Sequence, residues 1–238
     1  MQTKFTDSKY DLSKITLWDF LQEGNYPSGW SEFFLRGDIQ EELQKISNDL
    51  ENVVKEGITV FPSLTNIFRA FYSCPPNKIR LVINGQDPYT NGSAVGLCFS
   101  VKPGNEINSS LLNIYKEQKN SGYKPRENGD LTHLPKQGVL MLNSGLTVEK
   151  GFPESHLGIW YPFTKKVIEY IKNRNDRVLW LVMGAKALSL VGDMGEKSFI
   201  TSHPSGYSAH KGFRDYPAFI GSKVFEKINK SLEIPIVW

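Results

Sequence analysis

The sequence predicts an α/β fold: a single domain with a central, mainly parallel four-stranded sheet flanked by helices. Two observations carry this expectation. Four short apolar runs, Ile79–Asn84, Gly138–Asn143, Val178–Met183 and Ser198–Ser202, read as buried strands. Each is followed by a helical stretch, near Ser109–Lys119, Trp160–Asn173, Ala185–Val191 and Tyr216–Leu232. Alternation of this kind implies parallel strands covered on both faces.

A further helix precedes the first run. Ile39, Leu43, Ile46, Leu50, Val53 and Val54 recur at spacings of three and four, with Asp38 ahead of them as an N-cap and Gly57 behind as a stop. The whole chain, 238 residues with 39% hydrophobic and 22% charged side chains, fits one large domain with a sizeable core. With 28 basic against 25 acidic side chains the net charge is only +3, so any nucleic-acid contact must come from local placement. Cys74 and Cys98 make no disulfide framework and suit a reducing compartment. The N-terminus lacks an apolar signal core, and no apolar stretch approaches the roughly 20 residues of a spanning helix. These features give the expectation of a soluble intracellular protein, cytoplasmic or nuclear, without a membrane partner.

In open parallel sheets ligands bind outside the carboxyl ends of the strands. The first strand ends in GQDPYT (residues 85–90), the second in Asn143 and Ser144, the third in Gly184–Ala185, the fourth in HPSGYS (203–208). An acid, an amide, a flexible turn and a histidine thus converge on one rim. Each has a plainer reading when taken alone. Asp87 before Pro88 suits an Asx-type turn; Asn143 suits a strand end that satisfies loop backbone. His203 suits a hydrogen-bonded core position and Phe99 suits core packing. Their joint position is what points to catalysis. Metal hydrolysis fits poorly, since His133, His156, His203 and His210 form no HExxH and there is no CxxC. No GxSxG elbow, dinucleotide fingerprint or P-loop appears, so neither metal nor organic cofactor is expected.

The motifs GQDPYT, GLCFSV (96–101), LMLNSGLTV (140–148) and HPSGYSAHKGF (203–213) together resemble family 1 uracil-DNA glycosylases, in order and spacing, from about Trp18 to the end. The resemblance implies residues 18–238 as a catalytic domain of that fold and 1–17 as an N-terminal tail or cap. It implies that Asp87 orients the attacking water and stabilises positive charge on deoxyribose, while His203 supports negative charge on departing uracil. Gln86 would help hold a uracil carbonyl through its backbone, Tyr89 would fill the space of a thymine methyl, Phe99 would stack on the flipped base, and Asn143 would read its polar edge. DNA contacts would come from Pro88, Ser109, Ser110, Gly184, Ala185, Ser205, Gly206, Tyr207 and Ser208.

Elementary chemistry makes these roles coherent. Breaking an N-glycosidic bond leaves the sugar oxocarbenium-like and the base anionic, so a fixed carboxylate and a fixed donor stabilise opposite ends of one charge separation. An amide matches uracil and mismatches cytosine. Thymine differs by a methyl that only a steric wall excludes.

The sequence departs from the family in three places. Gly206–Tyr207 stand where proline and leucine are usual, Thr90 where histidine is usual, and Ala185 where serine follows the glycine. The proline-rich loop keeps Pro103, Ser109 and Ser110. Tyr207 reads as a bulkier wedge or as a tyrosine lying on the loop surface. Ser205, His210, Lys211 and Arg214 read as compensating DNA contacts or as a solvated basic face. The resemblance further implies a monomer acting on uracil in single- and double-stranded DNA, with a proteinaceous inhibitor or a replication factor as partners. Two rival readings are a non-catalytic DNA-binding scaffold and a glycosylase of broader base choice. The presence of Asp87, Asn143 and His203 argues against the first, and Tyr89 and Asn143 against the second.

Overall fold

The computed structural model describes residues 10–238. In chain order they form α1 (Leu17–Gln22), α2 (Ser31–Phe34), α3 (Gly37–Lys55), β1 (Val60–Phe61), α4 (Arg69–Ser73), β2 (Leu81–Gly85), α5 (Ser109–Asn120), β3 (Val139–Asn143), β4 (Val148–Glu149), α6 (Leu157–Arg174), β5 (Leu179–Met183), α7 (Ala185–Val191), β6 (Ser198–Thr201) and α8 (Val224–Lys230).

The expected four-stranded sheet is present, in the order β3–β2–β5–β6, with every pairing parallel. All residues of β2, β3 and β5 are buried, which is why these strands read as unbroken apolar runs. The chain runs outward from β2 to β3, then returns across β2 to β5 and on to β6. The carboxyl ends of β2 and β5 therefore flank the point where the winding direction reverses, which opens a crevice there. On one side of the sheet Phe33, Phe34, Phe68, Phe71, Trp160 and Phe163 form an edge-to-face aromatic cluster, with Phe34 and Phe68 centroids 5.2 Å apart. Of the expected N-terminal tail or cap, residues 1–9 lie outside the described residues; Leu12 and Ile15 pack against the core.

Two local expectations are corrected and one holds. Asp38 does not cap α3: the helix starts at Gly37 after Arg36, and Asp38 sits in the first turn, where it accepts two hydrogen bonds from the Arg36 guanidinium at 3.0 and 3.1 Å. Gly57 does stop the helix. At φ +79° it donates to Val54, and the next residue, Ile58, donates to Val53, the left-handed glycine termination. The second correction is the last helix, which covers Val224–Lys230 rather than Tyr216–Leu232. Pro217 follows Tyr216, and Gly221 and Lys223 adopt φ +88° and +53°. This irregular approach is held by a residue distant in sequence. Glu117 of α5, with no exposed surface, accepts the backbone N–H groups of Gly221 at 2.7 Å and Lys223 at 2.6 Å. The antiparallel β1–β4 pair, only two residues long, left no readable pattern.

Glu117→Ala removes the acceptor of both part-buried N–H groups, and we expect it to cost about 1–3 kcal/mol of stability in urea unfolding. A cost under about 1 kcal/mol would mean that solvent satisfies the donors and that Glu117 does not hold the segment.

Candidate active site

Gly85 and Asn143 are register partners at the ends of β2 and β3. A Cβ on Gly85 would lie 2.3 Å from Asn143 Oδ1 and 2.7 Å from Cys98 Cβ, so only glycine lets the Asn143 amide lie across the strand end. Asn143 is 7% exposed, and among the described residues its side chain has no hydrogen-bond partner. The loop-satisfying work that Asn143 was a candidate for falls to its neighbours. Asn84 Nδ2 donates to the Leu142 carbonyl at 3.3 Å, and the Ser144 hydroxyl to the Gly85 carbonyl at 3.1 Å. Asn143 is left with one acceptor and two donors, the pattern that matches one edge of a pyrimidine.

The loop leaving β2 carries the acid. Ser144 N–H donates to Gly85 O at 3.0 Å and Gly145 N–H to Gln86 O at 2.8 Å, clamping this loop to the end of β3. Asp87 is half-buried. Its Oδ2 accepts the Glu154 backbone N–H at 2.7 Å and its Oδ1 accepts the Gln86 side-chain amide at 3.1 Å. Burial raises the Asp87 carboxyl above its ordinary value, against the pull of those two hydrogen bonds; the charge of Glu154 raises it further and that of Lys186 lowers it. Pro88, behind it, is buried.

Tyr89 donates its hydroxyl to the Phe99 carbonyl at 3.1 Å. Phe99 sits in the left-handed region at φ +63°, an uncommon place for a bulky residue, and its ring faces that of His203 with centroids 6.2 Å apart. His203 Nδ1 accepts the Ser205 backbone N–H at 3.1 Å, so the proton of the neutral ring sits on Nε2. Burial, reinforced by the Lys186 charge, lowers the His203 pKa. Gly184, at φ +90°, passes so close to His203 that a Cβ there would lie 3.0 Å from the histidine Cβ.

A cleft of about 260 Å³ joins these ends; Gln86, Gly184, Lys186, His203, Ser205 and Ser208 are among the residues lining it. Ala185 and Lys186 are exposed at the start of α7. The 203–208 loop is tied to α5 by Asn113 Nδ2, which donates to the Pro204 carbonyl at 2.9 Å. Gly206 faces the exposed Ser109 across 4.0 Å, measured from the position a Cβ would take, and Ser110, next to it, is half-buried. Tyr207 is 85% exposed at the loop tip, and Lys211 Nζ lies 5.1 Å from its ring centroid. The structure thus gathers the acid, amide, two aromatic rings and histidine at one rim, with the loops of the expected DNA contacts around them. Sequence reasoning missed Glu154, which contacts both Gln86 and Asp87, and Lys186, which pairs with Glu154. A lysine directly after Gly184–Ala185 at a helix start was the one available signal.

Residues 71–233 match the Uracil DNA glycosylase superfamily. The chain is 38% identical over 206 residues to the uracil-DNA glycosylase of Azotobacter vinelandii, covering 82% of this chain and 86% of that protein. The fold is similar to the crystal structure of mimivirus uracil-DNA glycosylase, with a TM-score of 0.84 and 28% identity over 95% of this chain and 90% of that one. It is also similar to a tyrosine-to-leucine variant of the mimivirus UNG in complex with UGI, with a TM-score of 0.85 and 27% identity over 95% of this chain and 92% of that one. The chain belongs to the uracil-DNA glycosylase superfamily.

The lowered His203 pKa has a signed consequence. The unfolded chain takes up this proton first, so the stability contributed by neutral His203 is present above the unfolded value of about 6.5 and is lost as pH falls below it. Long-range ¹⁵N NMR should show the proton on Nε2 and a midpoint below about 6.5. A proton on Nδ1, or a midpoint above that value, contradicts the geometry.

Proposed function

We propose that the rim formed by Asp87, Asn143 and His203 performs the hydrolysis by which this protein, a uracil-DNA glycosylase, releases uracil from DNA and leaves an abasic site. The observation that carries the residue assignment is the Asn143 amide, left without a hydrogen-bond partner among the described residues at the end of β3, on the same rim as a half-buried carboxylate and a neutral imidazole.

The target nucleotide leaves the stack at a cost of a few kcal/mol and enters between Phe99, which stacks on the base, and Asn143, which pairs with its polar edge. Tyr89 closes the side where thymine carries its methyl. Cytosine presents the wrong donor pattern and leaves polar groups unpaired in a buried site. As the bond from sugar to base stretches, positive charge grows on the sugar and is stabilised by Asp87. The electron pair of the breaking bond goes to the base, and its carbonyl oxygen is stabilised by the Nε2–H of His203 and by the backbone at Gln86. A neutral imidazole suits this task because it donates a hydrogen bond without protonating the base outright. Water, oriented by Asp87, adds to the sugar carbon and passes its proton to the Asp87 carboxylate, while uracil leaves with the electron pair of the broken bond, completing the hydrolysis.

Backbone and hydroxyl groups at Pro88, Ser109, Ser110, Gly184, Ala185, Ser205, Gly206 and Ser208 hold phosphates, with Tyr207 filling or wedging the gap in the stack. Contacts of this kind position DNA without reading flanking sequence, which supports action on both single and double strands. We place the catalytic domain at residues 18–238 and treat the protein as a monomer. Because the fold is similar to that of the mimivirus UNG solved with UGI, a proteinaceous inhibitor of that type is a proposed partner. Ala185 and Thr90, where serine and histidine are usual, remove side-chain contacts to phosphate and should weaken DNA binding modestly.

Uracil release from labelled oligonucleotides in EDTA tests the assignment. Wild-type protein should free uracil and neither thymine nor cytosine. Asp87→Asn should lose about 10²–10³ in rate and Asn143→Ala a comparable factor. Tyr207→Ala should slow release from duplex more than from single strands. Binding of DNA with no base released would favour the scaffold reading.

A further inference from the structure

Resting on the assignment of Asp87 above, we propose that Glu154 is a positioning residue for Asp87 and that its ion pair with Lys186 sets the charge balance under which Asp87 works. The segment between β4 and α6 is clipped onto the acid loop at two points. Gly151 N–H donates to the Thr90 carbonyl at 3.1 Å, and Glu154 N–H donates to Asp87 Oδ2 at 2.7 Å. Glu154 holds φ +70°, where glycine or asparagine is the easier residue. That conformation aims its backbone donor at the carboxylate.

The side chain does separate work. Glu154 Oε1 accepts from Gln86 Nε2 at 3.0 Å, the same amide that donates to Asp87 Oδ1 at 3.1 Å. Both N–H bonds of the Gln86 amide are therefore committed, one to each carboxylate, and the amide cannot rotate away. Lys186 Nζ, at the first turn of α7, pairs with Glu154 Oε1. The result is a chain Lys186–Glu154–Gln86–Asp87 that crosses from α7 to the acid loop. The pair is about half exposed, so its worth to stability is small; its consequence lies in the Asp87 environment.

The charged and titratable groups around Asp87 are Glu154 from the β4–α6 segment, Lys186 from α7 and, lining the same cleft, His203 from the loop after β6, which is held neutral. Glu154 alone carries negative charge among these and disfavours ionised Asp87; Lys186 favours it. Removing one without the other moves the acidity of Asp87 in opposite directions. A residue that merely braces the loop would give no such opposition.

The experiment is single-turnover uracil release from about pH 5 to pH 9 for wild type, Glu154→Gln, Lys186→Met, the double variant and Asp87→Asn, with thermal unfolding of each. Glu154→Gln should move the acid limb to lower pH and reduce the plateau rate severalfold as Gln86 loses its anchor. Lys186→Met should move the acid limb to higher pH and raise KM. The double variant should bring the limb back toward the wild-type position. A Glu154→Gln limb that stays in place or moves upward overturns the proposal, as does an effect confined to KM. If Asp87→Asn retains the wild-type rate and limb, the Asp87 assignment itself fails, and that outcome is distinct from the others.

Discussion

The amide of Asn143 reaches the rim of the sheet because residue 85 has no side chain, and much of the site is arranged around that close approach. Gly85 and Asn143 end adjacent parallel strands in register, with Cys98 packed behind the glycine. The same strand ends exchange hydrogen bonds: Ser144 N–H to Gly85 O, and Gly145 N–H to Gln86 O. The acid loop and the Asn143 amide are therefore held as one unit rather than as two loops that happen to meet. Catalysis by positioned dipoles depends on such rigidity, because a group that must first reorganise loses most of its advantage.

Around that unit the electrostatics are divided. The Asp87 carboxylate, proposed to meet the cationic sugar, is kept half-buried, with two hydrogen bonds holding its orientation and a raised pKa. The His203 imidazole, proposed to meet the anionic base, is kept neutral by burial, by Lys186 and by the Ser205 N–H that occupies its Nδ1. Lys186 acts on both, which places one cation where it favours an ionised Asp87 and disfavours a charged His203. Opposite charge preferences at two groups on one rim match the proposed reaction, which separates charge between them.

How far the sequence revealed this depends on how local each determinant is. Asp87, Asn143 and His203 were legible because parallel strands announce themselves as apolar runs and their carboxyl ends are where ligands bind. Gln86 was legible as a backbone contact, but its side chain, shared between two carboxylates, was not. Glu154 belongs to a loop after the two-residue strand β4, too short to leave a period, and its approach to Asp87 spans 67 positions. The last helix was drawn too long because its start is decided by Glu117, more than 100 positions away, which supplies acceptors that no nearby residue advertises. Asp38 was taken for a cap because the apolar period starts after it, whereas the backbone turns helical at Gly37.

If Gly85 couples the acid loop to the Asn143 amide, Gly85→Ala should uncouple them. Gly85 does not occupy the left-handed region, so alanine fits the backbone and only the approach of Asn143 and Cys98 is disturbed. Binding of free uracil and the rate of uracil release from DNA should be measured together on folded variant. Both should fall together, by roughly 10- to 100-fold, as expected when a reacting group is misplaced by about 1 Å. Wild-type uracil binding and wild-type release in a folded Gly85→Ala protein would contradict that coupling.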